Sequence, residues 1–240
     1  MTRPSLYLDT MTHDLQAVIF DFDGLICDTE TAAYDAWAAI FREHGAVLQR
    51  ETWRVCVGAA ESPFDPVSHL QELTGRHDLD RKLVMADKER RKAEVSHKLD
   101  ALPGVFECLE EAKRLGIPIG LASSSYAEWV HAHLQRLNLR SYFKVIRTRD
   151  DVVQAKPAPD LPLSAAAGLG VPAAACLVLE DSLNGLRAAK AAGARCIVVP
   201  NPVTIGSDFA QADAVLGSMR ELNLAALFAQ AGALPRLNLK

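Results

Sequence analysis

Cysteine is scarce in this 240-residue chain and is never arranged for chemistry. The five, Cys27, Cys56, Cys108, Cys176 and Cys196, are odd in number and none forms a Cys-x-x-Cys pair. That spacing argues against a zinc site and a disulfide framework. Because Cys27, Cys176 and Cys196 lie in or beside apolar runs, reduced and buried thiols in a cytoplasmic protein are expected. An excess of basic charge is also missing. Net charge is −4 and the isoelectric point is near 6.0, so no nucleic-acid partner is expected. No stretch has the length and apolarity of a membrane span, and residues 1–10 lack the apolar core of a signal peptide. Residues before about His13 are expected to be loosely held, with Met1 and Met11 both eligible as the start. Internal repeats and low-complexity tracts are absent, and Gly168-Leu169-Gly170 lacks the third glycine of a dinucleotide fingerprint. His131 and His133 stand two apart on an expected helix and face opposite ways, which argues against a metal pair.

What is present is apolar and periodic. Hydrophobic residues make up 49% of the chain, enough at this length for a sizeable core and a second small domain. The run Ala17-Val18-Ile19-Phe20 reads as a central parallel strand, and it ends in Asp21-Phe22-Asp23-Gly24. Period-2 geometry leans Asp21 and Asp23 the same way, at the strand end where parallel sheets bind ligands. Three later segments end in the same manner. An expected strand over 117–122 stops at Ser123-Ser124-Ser125, Lys156 precedes Pro157 and Pro159, and the strand 176–179 ends in Glu180-Asp181-Ser182.

Between these points the chain alternates as a doubly wound α/β domain does. Helices are expected over 105–115, 127–137, 160–169 and 183–192, with strands over 142–147, 195–199 and 212–216. From Glu30 to about Lys98 the pattern is helical without a strand: Ala33, Trp37, Ile40 and Phe41 recur at helical spacing and Gly45 closes that helix. Taken singly, each motif has an ordinary reading. Asp23-Gly24 is a turn dipeptide, Ser124 or Ser125 a helix cap, Lys156 a solvated lysine, and Glu180-Asp181-Ser182 a cap for the helix at Leu183. Their joint order along an α/β chain overturns those readings, except that Ser124 or Ser125 is still expected to cap the helix that follows.

The chain resembles the haloacid dehalogenase-like (HAD) superfamily, in the branch of β-phosphoglucomutase-like and phosphoglycolate-phosphatase-like enzymes. Asp21-Phe22-Asp23-Gly24-Leu25-Ile26, followed by Asp28-Thr29-Glu30, is similar to the family's first motif; Ser123 fits the second, Lys156 the third, and Glu180-Asp181 the fourth. The resemblance spans about residues 17–200. It implies a Rossmann-like parallel-sheet core formed by residues 1–28 and 100–240, with a helical cap inserted over 29–99 and hinges near 27–30 and 100–104.

It also implies a Mg²⁺-dependent phosphatase acting on a small phosphorylated metabolite, a sugar phosphate, through an aspartyl-phosphate. Asp21 would be the nucleophile and Asp23 the acid and base. Mg²⁺ would be held by Asp21, the main-chain carbonyl of Asp23, Asp181 and Glu180, the last either as a ligand or as an acceptor behind one. Lys156 would neutralise Asp21 and phosphate, and Ser123, with Gly24, Ser124 and nearby N–H groups, would hold the phosphate. For the cap, Glu61, Ser62, Lys88 and Arg91 are candidate specificity residues.

The departures matter as well. Relatives with mutase activity carry a histidine where this chain has Ala33, and a cap arginine near Gly58-Ala59-Ala60-Glu61, where this chain has an acid. Dehalogenases lack the counterpart of Asp23. A phosphatase is therefore expected ahead of a mutase or a dehalogenase, and a monomer suffices for it.

Overall fold

The computed structural model describes residues 15–59 and 64–230. The expectation for the chain before His13 falls outside them. Among the described residues after β1 (Ala17–Phe20) come four α-helices without a strand, α1 (Thr29–Glu43), α2 (Arg50–Trp53), α3 (Pro66–Thr74) and α4 (Arg81–Ser96). The alternating part follows: α5 (Val105–Arg114), β2 (Ile119–Ala122), α6 (Ala127–Arg136), β3 (Val145–Arg147), α7 (Asp160–Leu169), β4 (Cys176–Glu180), α8 (Leu183–Ala191), β5 (Arg195–Val198), β6 (Ala214–Val215) and α9 (Leu224–Gln230).

The six strands form one parallel sheet in the order β3-β2-β1-β4-β5-β6. The chain thus winds outward from β1 in one direction, returns, and winds outward in the other. The reversal at β1 leaves a crevice at the carboxyl ends of the central strands. Alternating side chains seat the sheet between two apolar layers. Val18, Phe20 and Phe22 pack with α5, α6 and α9, whereas Ala17 and Ile19 pack with α7 and α8. A third apolar cluster is built on the helical segment, where Trp37 and Phe41 of α1 meet Val67 and Leu70 of α3 and Val84 of α4, and it takes in Val203 from the loop after β5.

Local chemistry explains most boundaries. Asp28, Asp65 and Asp80 accept main-chain N–H bonds at the starts of α1, α3 and α4, and Pro66 opens α3 where its missing N–H costs nothing. Three strands are two or more residues shorter than expected, β2, β3 and β6, the last covering Ala214–Val215 of the expected 212–216. Ile117 donates its N–H to Ala112 at the end of α5 and Pro118 has none to give, so β2 begins at Ile119. Phe143 donates back to Arg140 in a 3₁₀ turn, which delays β3 to Val145. The serine caps expected for α6 are not used: Tyr126 occupies the cap position, and the Asp150 carboxylate accepts from Ala127 N at 2.7 Å. Ser124 and Ser125 are thereby left for other contacts.

The chain crosses between sheet and helical segment twice, and the crossings lie side by side. Leu102 N donates to Ile26 O at 2.8 Å, and the Cys27 thiol faces the Leu99 and Asp100 carbonyls.

Candidate active site

Asp21 is the first residue beyond β1. The pairing Phe20↔Leu179 brings it level with Glu180, the last residue of β4, and Asp181 follows directly. Lys156 reaches in from the loop before α7. Its Nζ lies 2.5 Å from Asp21 Oδ1 and 2.7 Å from Glu180 Oε1, with all three side chains buried. One carboxylate oxygen from each of Asp21, Glu180 and Asp181 falls within 4.8 Å of the others. Three buried carboxylates against one ammonium leave excess negative charge.

The electrostatics follow from that imbalance. Burial, and then the charge of Asp21, pushes the Glu180 carboxyl up to about 8. The same two causes raise Asp181 well above the ordinary carboxylate range. Asp21 is raised by burial and held back by Lys156. Burial alone would depress Lys156, but Asp21 and Glu180 outweigh it and raise its affinity for a proton.

Two oxygens in the cluster, Asp181 Oδ1 and Glu180 Oε2, are buried without a hydrogen-bond partner. An all-oxygen set with unsatisfied acceptors and surplus negative charge fits a hard divalent cation. Asp181 is aimed by Asn201, whose Nδ2 donates to Oδ2 at 2.6 Å while its own Oδ1 accepts from the N–H groups of Val203 and Thr204. That leaves Oδ1 of Asp181 facing the cluster. Asn201, in the loop after β5, has no signature in the sequence beyond an Asn-Pro turn.

Glycines make the room. A Cβ on Gly185 would lie 1.8 Å from Glu180 Oε2, and one on Gly24, where φ is +81°, would lie 2.2 Å from Asp181 Oδ2 and 2.5 Å from Asn201 Nδ2. Gly24→Ala is therefore expected to lower stability by about 2 kcal/mol or more and to weaken divalent-cation binding by displacing Asp181. Calorimetric unfolding together with cation titration reads both, and an unchanged cation affinity would contradict the assignment of Gly24 as the spacer.

The Asp23 side chain is not part of the acidic cluster, and the group expected of Asp23 as a metal ligand is its main-chain carbonyl. The reason is a set of donors on the other side. Thr29 Oγ1 (2.6 Å) and Trp129 Nε1 (2.9 Å) donate to Asp23 Oδ1, and Ser125 Oγ (2.7 Å) and Ser123 Oγ (3.4 Å) to Oδ2. Thr29, Ser125 and Trp129 were not singled out as site residues from the sequence, although Thr29 lies within the first motif. Ser123 is buried beyond β2, and its N–H is already given to Arg147 O at 2.9 Å. Its hydroxyl oxygen accepts from Ser125 N–H at 3.0 Å, and only the hydroxyl proton, 3.4 Å from Asp23 Oδ2 by its oxygen, is left to turn toward a phosphoryl oxygen. Ser124, expected on substrate, donates its hydroxyl to Gly58 O at 2.9 Å and so ties the sheet to the segment after α2. Asn184 adds bonds to the Val55 and Val57 carbonyls.

Of the residues expected to set specificity, Glu61 and Ser62 fall outside the described residues. Arg91 is engaged elsewhere, its guanidinium held by Glu43 and Asp87. Lys88 is buried and bonds Glu89, and burial, then Lys92, lowers its affinity for a proton. Glu30, in the first turn of α1, has its carboxyl pushed up to about 7 by burial and then by Asp23, with Lys92 and Lys88 opposing. Glu30, Lys88 and Lys92 are thus within electrostatic reach of the carboxylates. Burial drives the Cys27 thiol up to about 12, so it is no nucleophile. His133 is buried against Trp129 and Phe22 while His131 is exposed, as opposite helix faces require.

A parallel α/β sheet whose strand tips converge on paired acids, a buried lysine and a hydroxyl defines a phosphatase acting on phosphorylated compounds. The family model for haloacid dehalogenase-like hydrolases matches residues 15–193, and the chain belongs to that family. It is 47% identical over 214 residues to YhcW of Bacillus subtilis, covering 89% of this chain and 96% of that protein. It is 33% identical over 179 residues to the phosphorylated carbohydrates phosphatase of Thermotoga maritima, covering 75% and 82% of the two chains. The crystal structure of CbbY from Rhodobacter sphaeroides in complex with phosphate matches with a TM-score of 0.69 at 32% identity, over 89% of this chain and 99% of the other.

Proposed function

We propose that the protein hydrolyses a small sugar phosphate with Mg²⁺, through an aspartyl-phosphate on Asp21, and that residues 29–99 act as a cap over the site. The observation that carries this is the asymmetry between two acids two residues apart. Asp21 lies in the charged cluster against Lys156, whereas Asp23 stands apart among hydrogen-bond donors. That difference in surroundings supports Asp21 as the nucleophile and Asp23 as the acid and base. The carbohydrate-phosphate relative from Thermotoga maritima and the phosphate complex of CbbY support the substrate class.

Asp21, Asp181, Glu180 and the Asp23 carbonyl would hold Mg²⁺, which when bound offsets charge on the transferring phosphoryl group. Asp21 carboxylate oxygen attacks phosphorus, and the ester P–O bond breaks as Asp23 gives its proton to the departing alkoxide. Water then attacks the phosphorus of the acyl phosphate while Asp23 takes its proton, which returns Asp21 and releases phosphate. Lys156 keeps Asp21 ionised and offsets negative charge, and the Ser123 hydroxyl steadies a phosphoryl oxygen. Ala33 is buried in the apolar cluster of the helical segment and offers no imidazole, which favours hydrolysis over a mutase reaction.

Turnover of p-nitrophenyl phosphate with Mg²⁺ and its loss in EDTA test the reading, and a panel of sugar phosphates tests the substrate. Halide release from a haloacid, or isomerisation of β-glucose 1-phosphate activated by glucose 1,6-bisphosphate, would overturn it. A second test needs no turnover. Glu180 is raised from 4.5 to about 8, so the folded metal-free protein holds protons that the unfolded chain releases. The contribution of Glu180 to the stability of the metal-free protein is therefore fully present below about pH 4.5 and is lost as pH rises toward 8. Saturating Mg²⁺ is expected to abolish that slope in thermal unfolding scans, because bound carboxylates no longer take up protons.

A further inference from the structure

We infer that Trp129 is a positioning residue for the reaction: its indole N–H decides which oxygen of Asp23 carries the transferable proton. The inference rests on the reading of Asp23 as acid and base. Of the four donors on that carboxylate, three are the hydroxyls of Thr29, Ser123 and Ser125, which can turn from donating to accepting as the proton comes and goes. The indole cannot. Trp129 Nε1 only donates, and it does so to Oδ1 at 2.9 Å. An unprotonated carbonyl oxygen is a far better acceptor than the hydroxyl oxygen of a carboxylic acid, so Oδ1 stays bare. The proton then sits on Oδ2, the oxygen on the side of Ser123 at the tip of β2.

Such a role needs an indole that does not swing, and the structure holds it on more than one side. The ring of His133, one turn further along α6, lies 4.1 Å away between centroids, and its Nδ1 pairs with the Trp129 carbonyl at 2.9 Å. From the helical segment, Lys92 of α4 places Nζ 4.3 Å from the indole centroid, a cation–π contact. The proton donor is thereby fixed partly by how α4 seats on the sheet domain. A tryptophan at the third position of an amphipathic helix reads in sequence as ordinary packing, which is why it draws no notice there.

The test is the dependence of kcat/KM on the leaving group, measured at one pH with p-nitrophenyl, phenyl and benzyl phosphates. These esters are similar in shape, but their alcohols increasingly need protonation to leave, and kcat/KM reports only steps up to their release. Asp23→Asn is expected to lose far more on benzyl than on p-nitrophenyl phosphate. Trp129→Phe keeps a ring beneath Lys92 but drops the N–H, and is expected to lose about tenfold on benzyl phosphate and less than about threefold on p-nitrophenyl phosphate. Incorporation of 3-benzothienylalanine at position 129, which replaces N–H by sulfur in the same ring shape, should reproduce that pattern even if the phenylalanine variant folds poorly. Equal losses on all three esters, or no loss, in the sulfur-substituted protein overturn the inference while leaving Asp23 as the acid. Equal losses in Asp23→Asn instead remove the acid assignment itself, and the inference with it.

Discussion

Asp21→Asn is expected to lower kcat by at least about ten-thousandfold, because an amide oxygen is too weak a nucleophile to open a phosphate ester. Misfolding can be separated from this loss. The substitution removes one of three crowded carboxylates and leaves Lys156 paired with Glu180 at 2.7 Å. The metal-free variant should therefore unfold at or above the wild-type temperature, since like-charge repulsion in a buried cluster is relieved. Mass spectrometry of wild-type enzyme quenched in acid during turnover should show phosphate on the peptide bearing Asp21. Phosphate found on another residue, or substantial turnover by the variant, would falsify the nucleophile assignment.

Lys156→Met is expected to act in the opposite direction on stability. Its ammonium is the buried counter-charge to both Asp21 and Glu180, and its loss leaves two carboxylates uncompensated at a cost of about 3–5 kcal/mol. Added Mg²⁺ should recover part of that loss by supplying positive charge to the same oxygens. Activity should fall about a thousandfold and stay low in Mg²⁺, because charge on the transferring phosphoryl group is no longer offset from the lysine side. Arginine is no remedy in a space built for a compact ammonium. Unfolding scans with and without Mg²⁺, alongside kcat, check both halves, and a variant of wild-type stability would show that Lys156 does not balance the cluster.

The contrast between these variants reflects what could be read before the fold was seen. Apolar runs bounded by turns located β1, β4 and α7 to within a residue, because burial on both faces demands an unbroken apolar stretch, and because Pro157 and Pro159 fix the chain ahead of α7 while Gly170 ends it in the left-handed region. Where backbone bonds compete, as at Ile117 and Phe143, periodicity overran the strand. The parallel register then determines that Asp21 and Glu180 stand side by side, a relation 159 positions apart in the chain and visible in sequence only through the family resemblance.

The residues that aim the site were harder to see. Asn201 behind Asp181, and Trp129 with Ser125 behind Asp23, act through single hydrogen bonds across the fold. Such contacts impose no period and no spacing on the chain. Lys88 and Arg91 look interchangeable in a charged run, yet one is buried and the other is spent on Glu43 and Asp87. Which helix face meets the core is settled by packing rather than by charge.

By itself the sequence determined the α/β alternation, the helical segment after the first strand, and the order of paired acids, hydroxyl, lysine and paired acids, with all but the lysine at strand ends. Those follow from hydrophobic period and from residue types that only chemistry explains at such positions. Tertiary structure alone decided that the Asp23 side chain stands apart from the acidic cluster, that one oxygen each of Asp181 and Glu180 is left without a hydrogen-bond partner, and that an indole N–H donates to Asp23. These depend on distances between segments remote in sequence, and only folding the sheet brings the segments into contact.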